Sequence, residues 1–267
     1  RMMPSFNRIL TSLQNLRFFR EPLKLVYNEF NNLKCDLISS ESNNFKFKNK
    51  IYFNDVTFGY SDKKIILENI NLSISYGQTI GIIGESGAGK STFVSLLTGL
   101  IKPTKGEIFI DDFSLKTNTN NWQNLVGYVP QSIFLLDDSI LNNITLEDDQ
   151  EKIDFERVNK CINDSQLNEF VNSLPDKLNT VVGEKGSLIS GGQLQRIGIA
   201  RALYSNPSIL ILDEASSALD SKTEKQLMDL VYNDFKRLTK IIISHKKENL
   251  KNCDIIYKIE KKSIIKI

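Results

Sequence analysis

A chain of 267 residues is long enough for one large domain or two small ones and can bury a full α/β core. Its 40% hydrophobic and 25% charged residues argue against a disordered polymer, and a formal charge of +2 is too small to imply a general nucleic-acid binder. Three scattered cysteines without CxxC spacing and a single histidine exclude a disulfide framework, a zinc ribbon and a histidine-based metal site.

The charge is unevenly spread. The first 50 residues hold nine Lys/Arg against four Asp/Glu, so a basic segment precedes a mildly acidic remainder. Within it, Phe6, Ile9, Leu10, Leu13 and Leu16 recur at helical spacing, Pro22 interrupts, and Leu23, Val26, Tyr27, Phe30 and Leu33 resume. This predicts two amphipathic helical pieces, followed by a short polar linker over residues 39–44. A chain opening on Arg1 rather than Met is expected to be a piece of something longer. No apolar stretch has the length of a membrane-spanning helix.

Next, Ile51, Phe53, Val56 and Phe58 predict a strand, a turn follows near Ser61 and Asp62, and strand character returns over 65–74. From Thr79 the pattern becomes short apolar runs followed by helices. Residues 79–83 lead into a Gly-rich turn and then a helix carrying Phe93, Leu96, Leu97 and Leu100 on one face. The continuous runs 209–212 and 241–243 suit strands buried on both faces of a mainly parallel sheet. Residues 132–188, mostly polar, are expected to form a helical insertion between core strands.

Three clusters carry chemistry. Gly84-Glu85-Ser86-Gly87-Ala88-Gly89-Lys90-Ser91 matches G-x-x-x-x-G-K-[ST] between a predicted strand and a predicted helix. Its glycines let successive N–H groups turn toward phosphate oxygens, Lys90 would reach the β/γ-phosphates, and the Ser91 hydroxyl would ligate Mg²⁺. Ile209-Leu210-Ile211-Leu212-Asp213-Glu214 is an apolar strand ending in two acids. Ligands in open α/β sheets sit beyond the strands' carboxyl ends, so Asp213 could hold Mg²⁺ and Glu214 could take a proton from an attacking water. Alone, such a pair is more simply a solvated strand end; the glycine-rich loop favours the functional reading. Ser190-Gly191-Gly192-Gln193 reads as a capping box, and its two glycines would leave a helix terminus open to an anion.

Together, and in this order, these motifs resemble the nucleotide-binding domain of ABC transporters over nearly all of residues 50–267. The resemblance implies an α/β fold: a P-loop NTPase core of mainly parallel sheet with flanking helices, an antiparallel β subdomain, and an inserted helical subdomain at about 132–200. Residues 1–48 would be a helical extension and linker, and 49–267 the domain itself. The resemblance also implies further ligands of ATP and Mg²⁺: Thr92 beside the loop, Tyr60 stacking on adenine, Gln131 near Mg²⁺ and water, Asp220 in the loop after the acids, and His245 at the γ-phosphate. Taken singly, Tyr60 could be an edge-strand tyrosine, Gln131 a turn residue, Asp220 a helix cap and His245 an exposed side chain. Ile189 stands where the family usually has Leu, and Lys246 where exporters often have Arg.

Gly183-Glu184-Lys185-Gly186 is similar to a loop of exporter-type domains, although Glu184 alone could be a solvated acid. The run from Met3 to Ile9 is similar to part of PglK-like bacterial lipid-linked oligosaccharide flippases. The resemblance thus implies an ATP hydrolase on the cytoplasmic face of the bacterial inner membrane, powering export or flipping. Its partners would be a transmembrane domain in the same chain and a second copy, joined head to tail around two ATPs, with no nucleic acid. The competing class is an ABC ATPase acting on nucleic acid or ribosomes. A regulatory module that never hydrolyses, or a small-molecule kinase, fits the motif set less well.

Overall fold

A computed structural model describes residues 2–32, 45–61, 64–147, 149–183, 189–216, 219–235 and 237–267. The chain divides into two compact units, Arg1–Asn43 and Asn44–Ile267.

The first unit is built on α1 (Met3–Asn32). Two helical pieces were expected, but the helix runs unbroken through Pro22. Proline removes one backbone donor, and the intact ladder on either side carries the helix past that single lost bond. Its apolar side chains are exposed, and Phe18 and Leu25 fall off the predicted stripes, so hydrophobic surface spreads beyond one face of the helix. No described helix is long and apolar enough to cross a membrane. Leu33 and the expected linker at 39–44 lie outside the described residues.

The second unit contains two sheets. In the antiparallel one, β1 (Lys50–Ser61) and β2 (Lys64–Ser75) pair with each other, and β4 (Lys105–Ile110) and β5 (Phe113–Ser114) complete the order β2-β1-β4-β5. Asp62, in the predicted turn, lies outside the described residues. The second sheet has the order β10-β9-β3-β8-β7-β6. It comprises β3 (Thr79–Gly84), β6 (Val126–Val129), β7 (Ile209–Asp213), β8 (Thr239–Ile243), β9 (Ile255–Glu260) and β10 (Ser263–Lys266). All of its pairings are parallel except the β9–β10 hairpin. This is the expected mixed α/β architecture with a parallel-rich core and an antiparallel sheet.

The apolar runs explain why β7 and β8 lie in the interior of the sheet, away from its edges. Ile209, Ile211, Ile241 and Ile243 face a core shared with Phe53, Phe93 and Trp122. Leu210, Leu212 and Ile242 face the opposite core, shared with Ile197 and Val231. Alternate residues thus fill two cores, so both runs are apolar throughout.

Helix α2 (Lys90–Leu97) buries Phe93, Leu96 and Leu97, but Leu100 is not part of it. Gly99, at φ 71°, ends the helix in the left-handed conformation, and Leu100 turns out to solvent. A short helix α3 (Thr119–Gln123) follows β5. The 132–188 segment carries α4 (Ile140–Thr145), α5 (Phe155–Asp164) and α6 (Asn168–Ser173). It is less polar in effect than its composition suggests, because Ile140, Ile144, Val158, Ile162, Leu167 and Val171 all enter the second core. The helices α7 (Gly191–Tyr204) and α8 (Ser221–Asn233) complete that layer.

Candidate functional site

The carboxyl ends of four adjacent parallel strands deliver the chemistry to one cleft. β3 runs into the glycine-rich loop, β7 ends at Asp213 and Glu214, β8 leads to His245, and β6 leads to Gln131. Tyr60, Ile66, Ser86, Gly87, Gly89, Lys90, Ser91, Thr92, Gln131, Asp213, Glu214 and His245 line a cleft of about 550 Å³, within the usual range for a ligand site.

The loop has the backbone such a cradle requires. Gly87 and Gly89 have φ of 76° and 109°, values that favour glycine. Space is open where a Gly87 Cβ would stand, whereas a Cβ on Gly84 would come within 2.8 Å of the Ile259 carbonyl oxygen. Lys90 opens α2 and is buried. Its Nζ donates to the carbonyls of Gly84 (2.9 Å) and Glu85 (3.2 Å), and lies 3.5 Å from Glu214 Oε1. The ammonium is therefore held at the loop's mouth by its own backbone.

Glu214 is the centre of the polar cluster. Its Oε1 lies 2.7 Å from His245 Nε2, a separation that calls for the Nε2–H to donate, and its Oε2 accepts from Gln131 Nε2 at 3.0 Å. The Glu214 backbone has φ 50°, left-handed for a residue with a Cβ, while its N–H donates to the Ile243 carbonyl at 3.0 Å. Such conformations cluster where function fixes the side chain.

Asp213 accepts from the Tyr128 hydroxyl at 3.0 Å. Burial raises the Asp213 pKa above the ordinary carboxyl value, and the Tyr128 hydrogen bond offsets part of that rise. Burial, reinforced by the Asp213 charge, raises the Tyr128 pKa, so the phenol stays a donor. The run Tyr128-Val129-Pro130-Gln131 contains this residue, but the sequence draws attention only to its glutamine. Its role appears only once β6 and β7 pair, with Tyr128 opposite Ile211.

Tyr60 is 67% exposed at the rim of the cleft, its ring edge-on to Phe58 with centroids 5.1 Å apart. One aromatic face is thus free for stacking. Among the described residues no group of three or more His, Cys, Asp or Glu could hold a metal. The oxygen donors at hand are the Ser91 hydroxyl, the Asp213 carboxylate and the Gln131 amide. That set fits a hard cation such as Mg²⁺, which takes one or two protein oxygens and the rest from phosphates and water.

Ser190 caps α7 in the expected capping box: Gln193 N–H donates to Ser190 Oγ (3.4 Å), and Ser190 N–H donates to Gln193 Oε1 (3.0 Å). The two glycines do different work. A Cβ on Gly192 would meet Thr223 Cγ2 at 2.8 Å, so packing alone requires glycine there, whereas Gly191 has room. Asp220 caps α8, accepting from the N–H groups of Lys222 (3.0 Å) and Thr223 (3.1 Å) and from the Thr223 hydroxyl (2.6 Å). These side-chain and backbone bonds lower its pKa. Ser190, Gly191, Gly192, Gln193 and Asp220 line a cleft that shares no residue with the first. The structure therefore brings Tyr60, Ser86, Gly87, Gly89, Lys90, Ser91, Thr92, Gln131, Asp213, Glu214 and His245 together around one cleft, with Gly84 and Glu85 tied to it through their carbonyl bonds to Lys90 and Ala88 off its lining, and leaves the Ser190 and Asp220 group apart. Glu184 lies outside the described residues.

Comparison with known proteins gives a consistent picture. The family model described as ABC transporter matches residues 67–217. The chain is 42% identical over 217 residues to the alpha-hemolysin translocation ATP-binding protein HlyB of Escherichia coli, covering 80% of this chain and 30% of that protein. It is 41% identical over 221 residues to the ATP-dependent lipid A-core flippase of Wigglesworthia glossinidia brevipalpis, covering 82% of this chain and 38% of that protein. Among solved structures, a bacterial Atm1-family ABC exporter with ATP bound superposes with a TM-score of 0.73 at 31% identity, covering 81% of this chain and 38% of the exporter chain. The chain thus spans about a third of the length of the relatives it matches.

Proposed function

Since the chain belongs to the ABC transporter family, as an exporter-type ATP-binding domain that hydrolyses ATP, we propose that it powers movement of a substrate across the bacterial inner membrane from the cytoplasmic face. The observation that carries this reading is the placement of Lys90 Nζ 3.5 Å from Glu214 Oε1 at the mouth of a glycine loop.

Each residue has a definable task. N–H groups of the glycine loop and of the start of α2 bind the phosphates, with Ser86, Gly87, Gly89 and Thr92 on the cleft wall. Lys90 holds the terminal phosphate oxygens, and Tyr60 stacks on the base. Glu214 takes a proton from the attacking water as its oxygen bonds to the terminal phosphorus and the bridging P–O bond breaks. His245 donates to that phosphoryl group, and Gln131 orients the water. Ser91, Asp213 and Gln131 would hold Mg²⁺, which neutralises phosphate charge when bound.

The Ser190–Gln193 helix end, with Asp220, completes the site of a second copy. The separate cleft supports this head-to-tail arrangement, because a helix terminus there lies off the chain's own nucleotide. A transmembrane domain in the same polypeptide would couple to it, with residues 1–48 as the connecting extension and 49–267 as the ATPase. A lipid-linked oligosaccharide is the proposed cargo, supported by the residue 3–9 run and by a relative named as a lipid flippase. The deciding experiment measures phosphate release and cargo flipping by the full-length protein in proteoliposomes. Release without any flipping of lipid-linked oligosaccharide overturns the cargo; absence of release overturns the site.

A further inference from the structure

One buried carboxylate outside the cleft ties together two loops that carry site groups. Glu224 lies in the first turns of α8, the helix capped by Asp220, and its side chain is only 9% exposed. Its Oε1 accepts from Ser216 Oγ (2.9 Å) and Asn249 Nδ2 (2.8 Å), and its Oε2 accepts from Lys246 Nζ (2.6 Å). Asn249 Nδ2 also reaches Ser216 Oγ (3.1 Å) and Ser244 Oγ (3.2 Å), while Ser244 Oγ accepts the Lys246 backbone N–H (3.1 Å). Ser216 stands two residues after Glu214; Ser244 and Lys246 flank His245 on both sides.

A buried anion costs desolvation, so this arrangement needs a reason. Apolar replacement of a buried ion pair is often neutral or stabilising, and in some proteins such pairs are kept because they fix one arrangement among several. Here Ser216 and Lys246 come from the two loops bearing Glu214 and His245, and Asn249 from the short helical turn that follows the second. Burial pushes the Glu224 pKa up, but the bonds from Asn249, Lys246 and Ser216 together outweigh it, and the net shift is downward. The carboxylate is thus an anion at neutral pH, bound to a cation one residue from His245.

We propose that Glu224, through its ion pair with Lys246, is a positioning residue for hydrolysis, holding the His245 loop and the Glu214 loop in register on the Asp220-capped helix. The proposal rests on the reading that Glu214 and His245 act on the nucleotide. The Lys246 side chain is half exposed, so its replacement is tolerated by the fold and probes the knot directly. Lys246→Met and Glu224→Gln in the full chain should each lower kcat tenfold or more, with equilibrium ATP affinity changed less than twofold. Lys246→Arg, which keeps the charge, should bring kcat back to within twofold of the parent. The double variant should be no slower than the slower single one, because both cut one connection. Parent-like kcat in Lys246→Met overturns the proposal, as does a parallel loss of affinity and turnover. A Glu214→Gln control separates the two levels: if it turns over normally, the hydrolytic reading fails first.

Discussion

At the scale of single residues, Glu214 and Lys90 make opposite demands on the nucleotide, and their substitutions separate. Glu214→Gln keeps the shape and the hydrogen bond from Gln131 but loses the proton acceptor. Its turnover should fall about 100-fold or more while ATP affinity persists, as read by phosphate release beside calorimetry. Lys90→Ala removes the cation from the loop's mouth, so affinity and turnover should drop together; unchanged affinity would count against the cradle. Glu224 gives a pH signature. Its folded pKa is below its unfolded value, so its contribution to stability is present above the ordinary carboxyl range and lost as pH falls through the folded value. Asp213, whose pKa is raised, has the opposite sign: ionising it opposes folding. Urea unfolding from pH 7 downward should therefore show an acid-side loss that Glu224→Gln flattens; an unaltered acid limb in that variant would contradict the sign.

At the scale of elements, the capped start of α7 is testable on its own. Ser190→Ala removes the acceptor for the Gln193 N–H and should cost about 1 kcal/mol in urea unfolding. The elements legible in the sequence are those whose pattern is local. The runs of β7 and β8 announce burial on both faces, the glycine loop announces its strand and helix, and Ser190 with Gln193 announces a cap. What stayed hidden depends on partners far along the chain. The 132–188 helices look polar until their scattered Ile and Val meet one core, and α1 looks broken until the ladder is seen to pass Pro22. Leu100 fits the helical spacing of α2, yet Gly99 adopts a left-handed φ first. Tyr128 and Glu224 are ordinary residues in sequence, because each gains its meaning from a strand or loop more than 20 residues away.

At the scale of the molecule, the two clefts with no shared lining residue make a prediction about association. If Ser190 and Gln193 of one copy complete the nucleotide site of another, specific activity should rise with protein concentration before levelling off. A constant specific activity from high dilution upward would point to a site complete within one chain. Finally, the Glu214 carboxylate engages Lys90, His245 and Gln131. An arriving ligand must outbid an internal acid for the same donors, so the pocket discriminates by anionic strength before it discriminates by shape. Adenosine monophosphate, with too little charge to displace that incumbent, should be turned away even though its base could still lie against Tyr60.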